Sequence, residues 1–406
     1  MLDINKQNTE LGTPTCWAIE RRLLQTLYDK LGQPAIGFRL WDEFGVGQVN
    51  GVAPMATIQD RRTFWRLIIN PELHFGEDYS RGGIQLQGDL VEFLEAIYRG
   101  RRNKARETAT FVARSCKHRS ISQGKAKTNA THHYDIDNDF YRLWLDDEMV
   151  YTCAYFPDPT VSLEQAQNAK MEHICRKLQL KRGDYVIEAG CGWGGLSRYM
   201  ARHYQVNVRA YNVSHAQIEE ATRRARQEGL GDKLEFIEDD YRNITGQCDA
   251  FVSIGMLEHV GQRNYPVLGN VIDKVLKENG RGLIHTIAEN QPAPTNPWLQ
   301  RYIFPDGSLP TLREMMDIFE PHDFSIADVE NLRLHYAKTL EHWLERFEDH
   351  RDEIASRFGE DFVRMWRLYL GGSIANFTTG NIQLYQVLFH RSEQTNLAIT
   401  RNHLYR

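Results

Sequence analysis

Residues 186–204, VIEAGCGWGGLSRYMARHY, change character at their midpoint. An apolar run that reads as a buried strand ends at Glu188. A turn carrying Gly190, Gly192 and Gly194 then opens into a helical pattern with Leu196, Tyr199, Met200 and His203 on one face. So little side chain suits three purposes: a nucleotide phosphate, a nucleoside cofactor without phosphate, or a tight strand-to-helix connection that binds nothing. A phosphate loop requires Gly-Lys-Ser/Thr, whereas Gly194-Gly195 is followed by Leu196-Ser197, which disfavours phosphoryl transfer. A dinucleotide calls for an acid at the end of the next strand, and VRAYNVS supplies Asn212 and Ser214 there. A smaller nucleoside, or a purely structural turn, remains.

The spacing Glu188, Gly190, Gly192, Gly194, with a second acid at a later strand end in Asp240, is the layout of S-adenosylmethionine methyltransferases. Glycines let backbone approach the methionine part of such a ligand, and the helix N-terminus favours its carboxylate. Two further residues, Glu258 and His285, stand at the ends of expected strands, where the sites of such folds collect.

The elements that must position these groups follow from periodicity. Beyond residue 130, helical segments alternate with the short apolar runs DYVIEAG, VNVRAYNVS, LEFIEDDY, DAFVSIGML, GRGLIHTIAE, ADVENLRLHY and IQLYQVLFHR. Strands alternating with helices imply an α/β fold with a mostly parallel, Rossmann-like sheet and ligands beyond its carboxyl ends. Residues 290–327, with prolines at 292, 294, 297 and 305 and the run WLQRYIF, fit no such repeat and read as an inserted lid or substrate wall. Upstream, residues 35–97 alternate in short runs (IGFRLWDEFGVGQV, FWRLIINPELHFGEDY) and end in a helical GDLVEFLEAIYRG, a smaller α+β unit. Residues 115–131 lack periodicity and read as a linker.

In 406 residues with 41% apolar content there is ample material for two domains and a large core. No basic-then-apolar leader and no run of about 18 apolar residues is present, so the expected location is cytoplasmic. The six cysteines show no CxxC spacing and read as free thiols, and no metal site is expected. Charge is uneven. Between Arg99 and Thr128 lie ten Lys/Arg against the single acid Glu107, a local balance of +9 in a chain of net −5, which leaves −14 elsewhere. Such a segment is either a solvated linker or a point of attraction to an anionic surface.

Seven ordered motifs sharpen the reading: HYDIDNDFYRLWLDDEMVYTCAYF (133–156), EAGCGWGG (188–195), NVSHAQ (212–217), DYR (240–242), GMLEHVG (255–261), LIHTI (283–287) and RYIFPDGSLP (301–310). Together they resemble the cyclopropane-fatty-acyl-phospholipid synthases, relatives of the mycolic acid cyclopropane synthases. The resemblance implies an N-terminal α+β lipid-associated domain with basic linker over 1–130, an S-adenosylmethionine-dependent methyltransferase domain over 131–392, and a tail over 393–406. It also implies that Tyr151 and Thr152 contact the methionine part of S-adenosylmethionine and that Glu188, Gly190, Cys191, Gly192 and Gly194 form the cradle. Gln217 would take the ribose hydroxyls, Asn212 and Ser214 would also bind the cofactor, and Asp240 and Tyr241 would flank the adenine.

The implied reaction transfers a methylene across a cis double bond of an unsaturated phospholipid acyl chain. Such an alkene is a feeble nucleophile, so the pocket must position it and exclude water. Positive charge then develops on the chain, which aromatic faces stabilise, and Tyr302, Phe304 and Tyr336 are the candidates. The resemblance implies a bound bicarbonate ion that accepts the departing proton, held by Cys153, Glu258, His285, Tyr336 and the amide of Ile287. It further implies peripheral attachment to the inner face of a phospholipid membrane, no nucleic-acid partner, and allows a homodimer. In three places the chain departs from the pattern: Ser373 stands where many relatives carry a cysteine, Asn212 where threonine is frequent, and ENQPAPTNP (289–297), which bears on the shape of the acyl pocket, is divergent. Three other readings stay open: a lipid C-methyltransferase giving a branched or methylene-bearing chain, a small-molecule methyltransferase, and a non-enzymatic nucleoside-binding module.

Overall fold

The computed structural model describes residues 15–49, 51–107 and 137–405. Residues 115–131, the expected boundary near 130, and most of the basic segment lie outside them. The chain forms two compact units, Met1–Thr110 with Glu360–Leu368, and Phe111–Gly359 with Tyr369–Arg406. The inclusion of residues 360–368 in the first unit had no signal in sequence order.

The first unit holds a four-stranded sheet of β1 (Gly37–Arg39), β2 (Gly45–Gly47), β3 (Met55–Ile58) and β4 (Ile84–Gln87), in the order β2-β1-β3-β4. With the helices Ala18–Lys30 and Leu90–Glu107 it is the α+β unit expected from 35–97. The stretch FWRLIINPELHFGEDY, which alternates like a strand, lies instead in the helices Arg61–Ile69 and Pro71–Ser80. Capping decides this. The Asp60 carboxylate accepts from the Thr63 amide at 2.9 Å, and the Asn70 side chain caps a second helix whose first residue is Pro71.

The second unit is built on a seven-stranded sheet: β5 (Tyr185–Ala189), β6 (Asn207–Asn212), β7 (Leu234–Glu238), β8 (Cys248–Ile254), β9 (Leu276–Glu289), β10 (Phe324–Asn331) and β11 (Ile382–Arg391), in the order β10-β11-β9-β8-β5-β6-β7. Strands β5 to β9 pair in parallel, while β11 pairs antiparallel with both β9 and β10. Apolar clusters cover both faces. One includes Phe251, Tyr265, Ile284, Ile318 and Phe389, and the other Met171, Ile174, Val186, Met200 and Val252. Burial on both sides is why these strands read as continuous apolar runs. The chain leaves β5 toward β6 and β7, then returns to its other side as β8, so a crevice opens above the carboxyl ends of β5 and β8.

Three boundaries differ from expectation. The run ADVENLRLHY is strand only to Asn331, and the helix Arg333–Asp349 takes over with the Asn331 side chain accepting from the Arg333 amide. The inserted segment 290–327 is irregular only in its first part, around the short helix Pro297–Tyr302. Helix Leu312–Phe319 carries Met315, Ile318 and Phe319 into the core. The tail 393–406 returns to the body, where Leu404 is buried and its carbonyl accepts from Arg176 at 3.5 Å.

Candidate active site

A cavity of about 310 Å³ lies at the carboxyl ends of β5 to β9, entirely within the second unit. One half is polar. The loop after β5 contributes Gly190, Cys191 and Gly192, with Glu188 beneath it at the strand end. The turn is pinned to the neighbouring strand, since the amides of Gly190 and Cys191 both donate to the carbonyl of Tyr211, at 2.8 and 3.1 Å. Gly190 and Gly192 hold φ of +84° and +54°. At Gly192 the absent Cβ would meet nothing within 4 Å, so backbone faces open cavity there. Glu188 is fully buried and binds the Ser197 hydroxyl, and burial pushes its carboxyl up to about 7.

From β6 and the helix that follows come Asn212 and Gln217, and from the end of β7 come Asp240 and Tyr241. Asn212 Nδ2 donates to Gln217 Oε1 at 2.7 Å, so the Gln217 oxygen is occupied and its amide hydrogens remain to donate. Both Asp240 oxygens accept from the Arg242 guanidinium, at 2.7 and 2.9 Å. This half fits S-adenosylmethionine: an open glycine backbone, a helix N-terminus beyond it, and amide and carboxylate groups along one wall.

The other half is aromatic. Tyr151, Phe304 and Tyr336 line it, together with Tyr369 and Phe377 from the helix Glu360–Thr379. The hydroxyls of Tyr151 and Tyr369 lie 2.8 Å apart, Tyr369 meets Phe304 edge-on at 5.6 Å, and Tyr336 packs on Phe377 at 4.6 Å. Where the two halves meet, Glu258 Oε1 accepts from the Ile287 amide at 2.7 Å, and its buried Oε2 has no partner. Burial pushes this carboxyl up to about 7 as well. The adjacent Ser308 Oγ is also buried without a partner.

Thr152 lines the cavity and its hydroxyl accepts from Lys170 Nζ at 3.0 Å. Lys170 is buried, which lowers its ammonium to about 8 against the pull of Asp146, Cys153 and Glu188. Gln167 braces the same loop by donating to the carbonyls of Val150 and Thr152, at 3.1 and 2.9 Å. Sequence reasoning passed over Lys170, Tyr369 and Phe377. The signal for Lys170 was a lysine among apolar neighbours on the inner face of the helix Leu163–Leu178.

Five expected site residues lie off the cavity wall. Gly194 caps the helix Gly195–Tyr204, where a Cβ would stand 2.7 Å from Phe236, so its need for glycine comes from packing. The Ser214 hydroxyl accepts from the Gln217 amide as the cap of its helix. Tyr302 packs at a tilt against Trp298, ring centroids 6.1 Å apart, while Leu299 and Phe304 take the cavity-facing positions. Cys153 is fully buried with Sγ donating to the Ala154 carbonyl at 3.1 Å, and burial raises its thiol above the usual range, which disfavours a thiolate. His285 is buried one layer back on β9, two residues before Ile287. Ser373 does line the cavity, but its hydroxyl donates to the Tyr369 carbonyl within the helix.

Comparison with known proteins bears on the family and the fold. The family model for mycolic acid cyclopropane synthetase matches residues 121–387. The cyclopropane-fatty-acyl-phospholipid synthase of Escherichia coli K12 is 37% identical over 358 residues, 87% of this chain and 92% of that one. A probable fatty acid methyltransferase of Pseudomonas putida is 35% identical over 390 residues, 91% and 95% of the two chains. Among solved structures, mycolic acid cyclopropane synthase CmaA1 complexed with SAH and CTAB superposes with a TM-score of 0.62 at 27% identity, covering 65% of this chain and 98% of that one. A glycine turn on a parallel sheet, an aromatic chamber beside it, and a match that spans both thus lead to one assignment: the chain belongs to the mycolic acid cyclopropane synthetase family.

Proposed function

We infer that the protein is an S-adenosylmethionine-dependent enzyme that adds a methylene across a cis double bond of an unsaturated phospholipid acyl chain, giving a cyclopropane fatty acid. The observation that carries this reading is one cavity with two unlike halves, a glycine-and-amide cradle opening directly onto Tyr151, Phe304, Tyr336, Tyr369 and Phe377. S-adenosylmethionine supplies an electrophilic methyl group. The protein's own share is positional: the Gly190–Gly192 backbone and Gln217 hold the nucleoside end, while the aromatic rings exclude water and turn π faces toward positive charge growing on the acyl chain. Burial raises the Cys153 thiol and the side chain lies off the cavity wall, which argues against a nucleophilic role for it.

Closing the ring requires that a proton leave the added methyl group. Glu258 presents one unpartnered acceptor oxygen beside the Ile287 amide, the cavity-lining Ser308 contributes an unpartnered hydroxyl, and His285, off the wall, an unpartnered ring nitrogen. This set suits an anion with both a hydroxyl and acceptor oxygens, so bicarbonate, held by Glu258 and Tyr336 with His285 behind the wall, is the base we propose. Tyr302 is left out of the substrate wall, and Tyr369 and Phe377 enter it.

Attachment to an anionic membrane surface is the second part of the proposal. It rests on the +9 segment, of which the exposed Arg99 and Arg101 belong to the described residues. Among the described residues no helix is long and apolar enough to cross a membrane. The Pseudomonas relative favours one alternative, a C-methylated chain formed when the same cation loses a different proton. Incubation with labelled S-adenosylmethionine and a cis-unsaturated phospholipid separates the two. The fatty acid gains the mass of one methylene in either case, and proton NMR then shows cyclopropane protons or a retained alkene. No mass gain sinks both.

A further inference from the structure

A continuous buried chain of hydrogen bonds runs from the sheet face to His285. His285 on β9 and Gln386 on β11 are cross-strand partners, with His285 Nδ1 3.1 Å from Gln386 Nε2. Gln386 Oε1 accepts from Lys177 Nζ at 2.8 Å. Lys177 also donates to Glu330 Oε2 at 2.5 Å, and the same carboxylate oxygen meets His173 Nε2 at 2.7 Å. Lys177 and Gln386 are fully buried, and Glu330 is the member nearest solvent. At the inner end, His285 Nε2 is buried with no partner.

The order of donors and acceptors along this chain is forced. An ammonium has hydrogens to donate and nothing to accept with, so the group of Gln386 facing Lys177 must be its carbonyl oxygen. Its amide NH2 then faces His285, and the ring nitrogen that meets it must offer a lone pair. Nδ1 therefore carries no proton, and the single hydrogen of the neutral ring sits on Nε2. Glu330 keeps the sequence oriented, because its carboxylate, held well into the acid range by His173 and Lys177, requires donors on its side. The groups acting on His285 agree on its neutrality: burial first, then Lys170 and Lys177, all disfavour a charged ring, and Glu330 alone favours one.

We propose that Lys177 and Gln386 are positioning residues that lock His285 as the Nε2–H tautomer, so that the ring, one layer behind the cavity wall, presents a fixed hydrogen-bond donor and has no free lone pair with which to act as the base. The inference rests on the cyclopropanation reading for what the donor serves, though the tautomer itself does not. His285 stands on β9 two residues before the cavity-lining Ile287, so a donor fixed there acts on the site from behind that wall, while Glu258 at the wall offers an unpartnered acceptor. The lock removes the histidine from the list of candidate bases.

The test reads the tautomer first and turnover second. With 15N-histidine in the full chain, the two ring nitrogens of His285 are assigned by comparison with His285→Gln, and their shifts show which one bears hydrogen. Nε2–H is expected in the parent. In Gln386→Glu the new carboxylate accepts from both Lys177 and the ring, so the hydrogen is expected on Nδ1. Gln386→Leu, which removes the amide without reversing it, should give a mixture, and serves if the first variant does not fold. Nδ1–H in the parent, or an unchanged pattern in the folded variants, overturns the proposal. For turnover, loss of a donor to a developing or bound oxyanion predicts a fall on the order of 10²-fold in Gln386→Glu with S-adenosylmethionine affinity retained. A flipped tautomer with parental turnover would show that the lock does not serve the reaction. Should the parent yield no methylene adduct while showing Nε2–H, the functional reading falls and the lock stands.

Discussion

Glu258→Gln should make the protein more stable and less active, and the stability gain should depend on pH in a calculable way. The carboxyl is fully buried with one oxygen satisfied by the Ile287 amide and the other unpartnered. Burial raises it from 4.5 to about 7. In the unfolded chain the group ionises from its ordinary value, whereas in the folded chain it holds its proton until near 7. The unfolded state therefore sheds its proton first, and stability falls as pH rises between the two values. At about 1.4 kcal/mol for each tenfold difference in proton affinity, the full penalty is roughly 3 kcal/mol, reached near pH 8. Near pH 5 less than roughly 1 kcal/mol of it has developed. Glutamine keeps the oxygen that accepts from Ile287 and never ionises, so denaturant unfolding of the full chain should show the variant ahead by most of that difference at pH 8 and nearly level at pH 5. Equal offsets at both pH values would refute the burial argument. Turnover should be lost at either pH, with S-adenosylmethionine affinity close to parental.

Gly192→Val sends a side chain into the open cradle from a φ of +54°, so calorimetry should find S-adenosylmethionine binding abolished in a folded protein; unchanged affinity removes the glycine-turn reading. Neutralising Arg101, Arg102, Lys104 and Arg106 should weaken sedimentation with anionic vesicles and flatten its salt dependence, each charge contributing about 1 kcal/mol near the surface. Equal sedimentation of both proteins at low salt would reduce the segment to a linker. Rigorous removal of carbon dioxide should slow the parent enzyme reversibly, and an untouched rate would leave the proton to a protein group other than His285.

Much of the second unit was legible because its signals are local. The β5–turn–helix stretch announces itself by glycines at φ values other residues avoid, and the buried parallel strands by unbroken apolar runs. Capping chemistry was underweighted: Asp60 and the pair Asn70-Pro71 convert residues 61–80 to helix despite their alternation. Register within short helices was also beyond reach, which is why Tyr302 and Phe304, two residues apart, were treated alike although only Phe304 reaches the cavity. Tyr369, Phe377 and Lys170 escaped notice because each sits in a long amphipathic helix, where an inward aromatic or lysine looks like packing until the fold shows what it faces. Gln386 was invisible for a stricter reason, since its meaning depends on a strand partner a hundred residues away.

The position of β11 inside the sheet, between β9 and β10, governs how the protein is made. Every other strand of this sheet leaves the ribosome earlier, so β9 and β10 must wait with bare hydrogen-bonding edges while the fifty residues from Leu332 to Asn381 are synthesised, a few to ten seconds at about 5–20 residues per second. Only the arrival of residues 382–391 zips the two together. The same event delivers Gln386 to His285, so a chain arrested before that point is sticky and lacks the contact proposed to fix the histidine's tautomer.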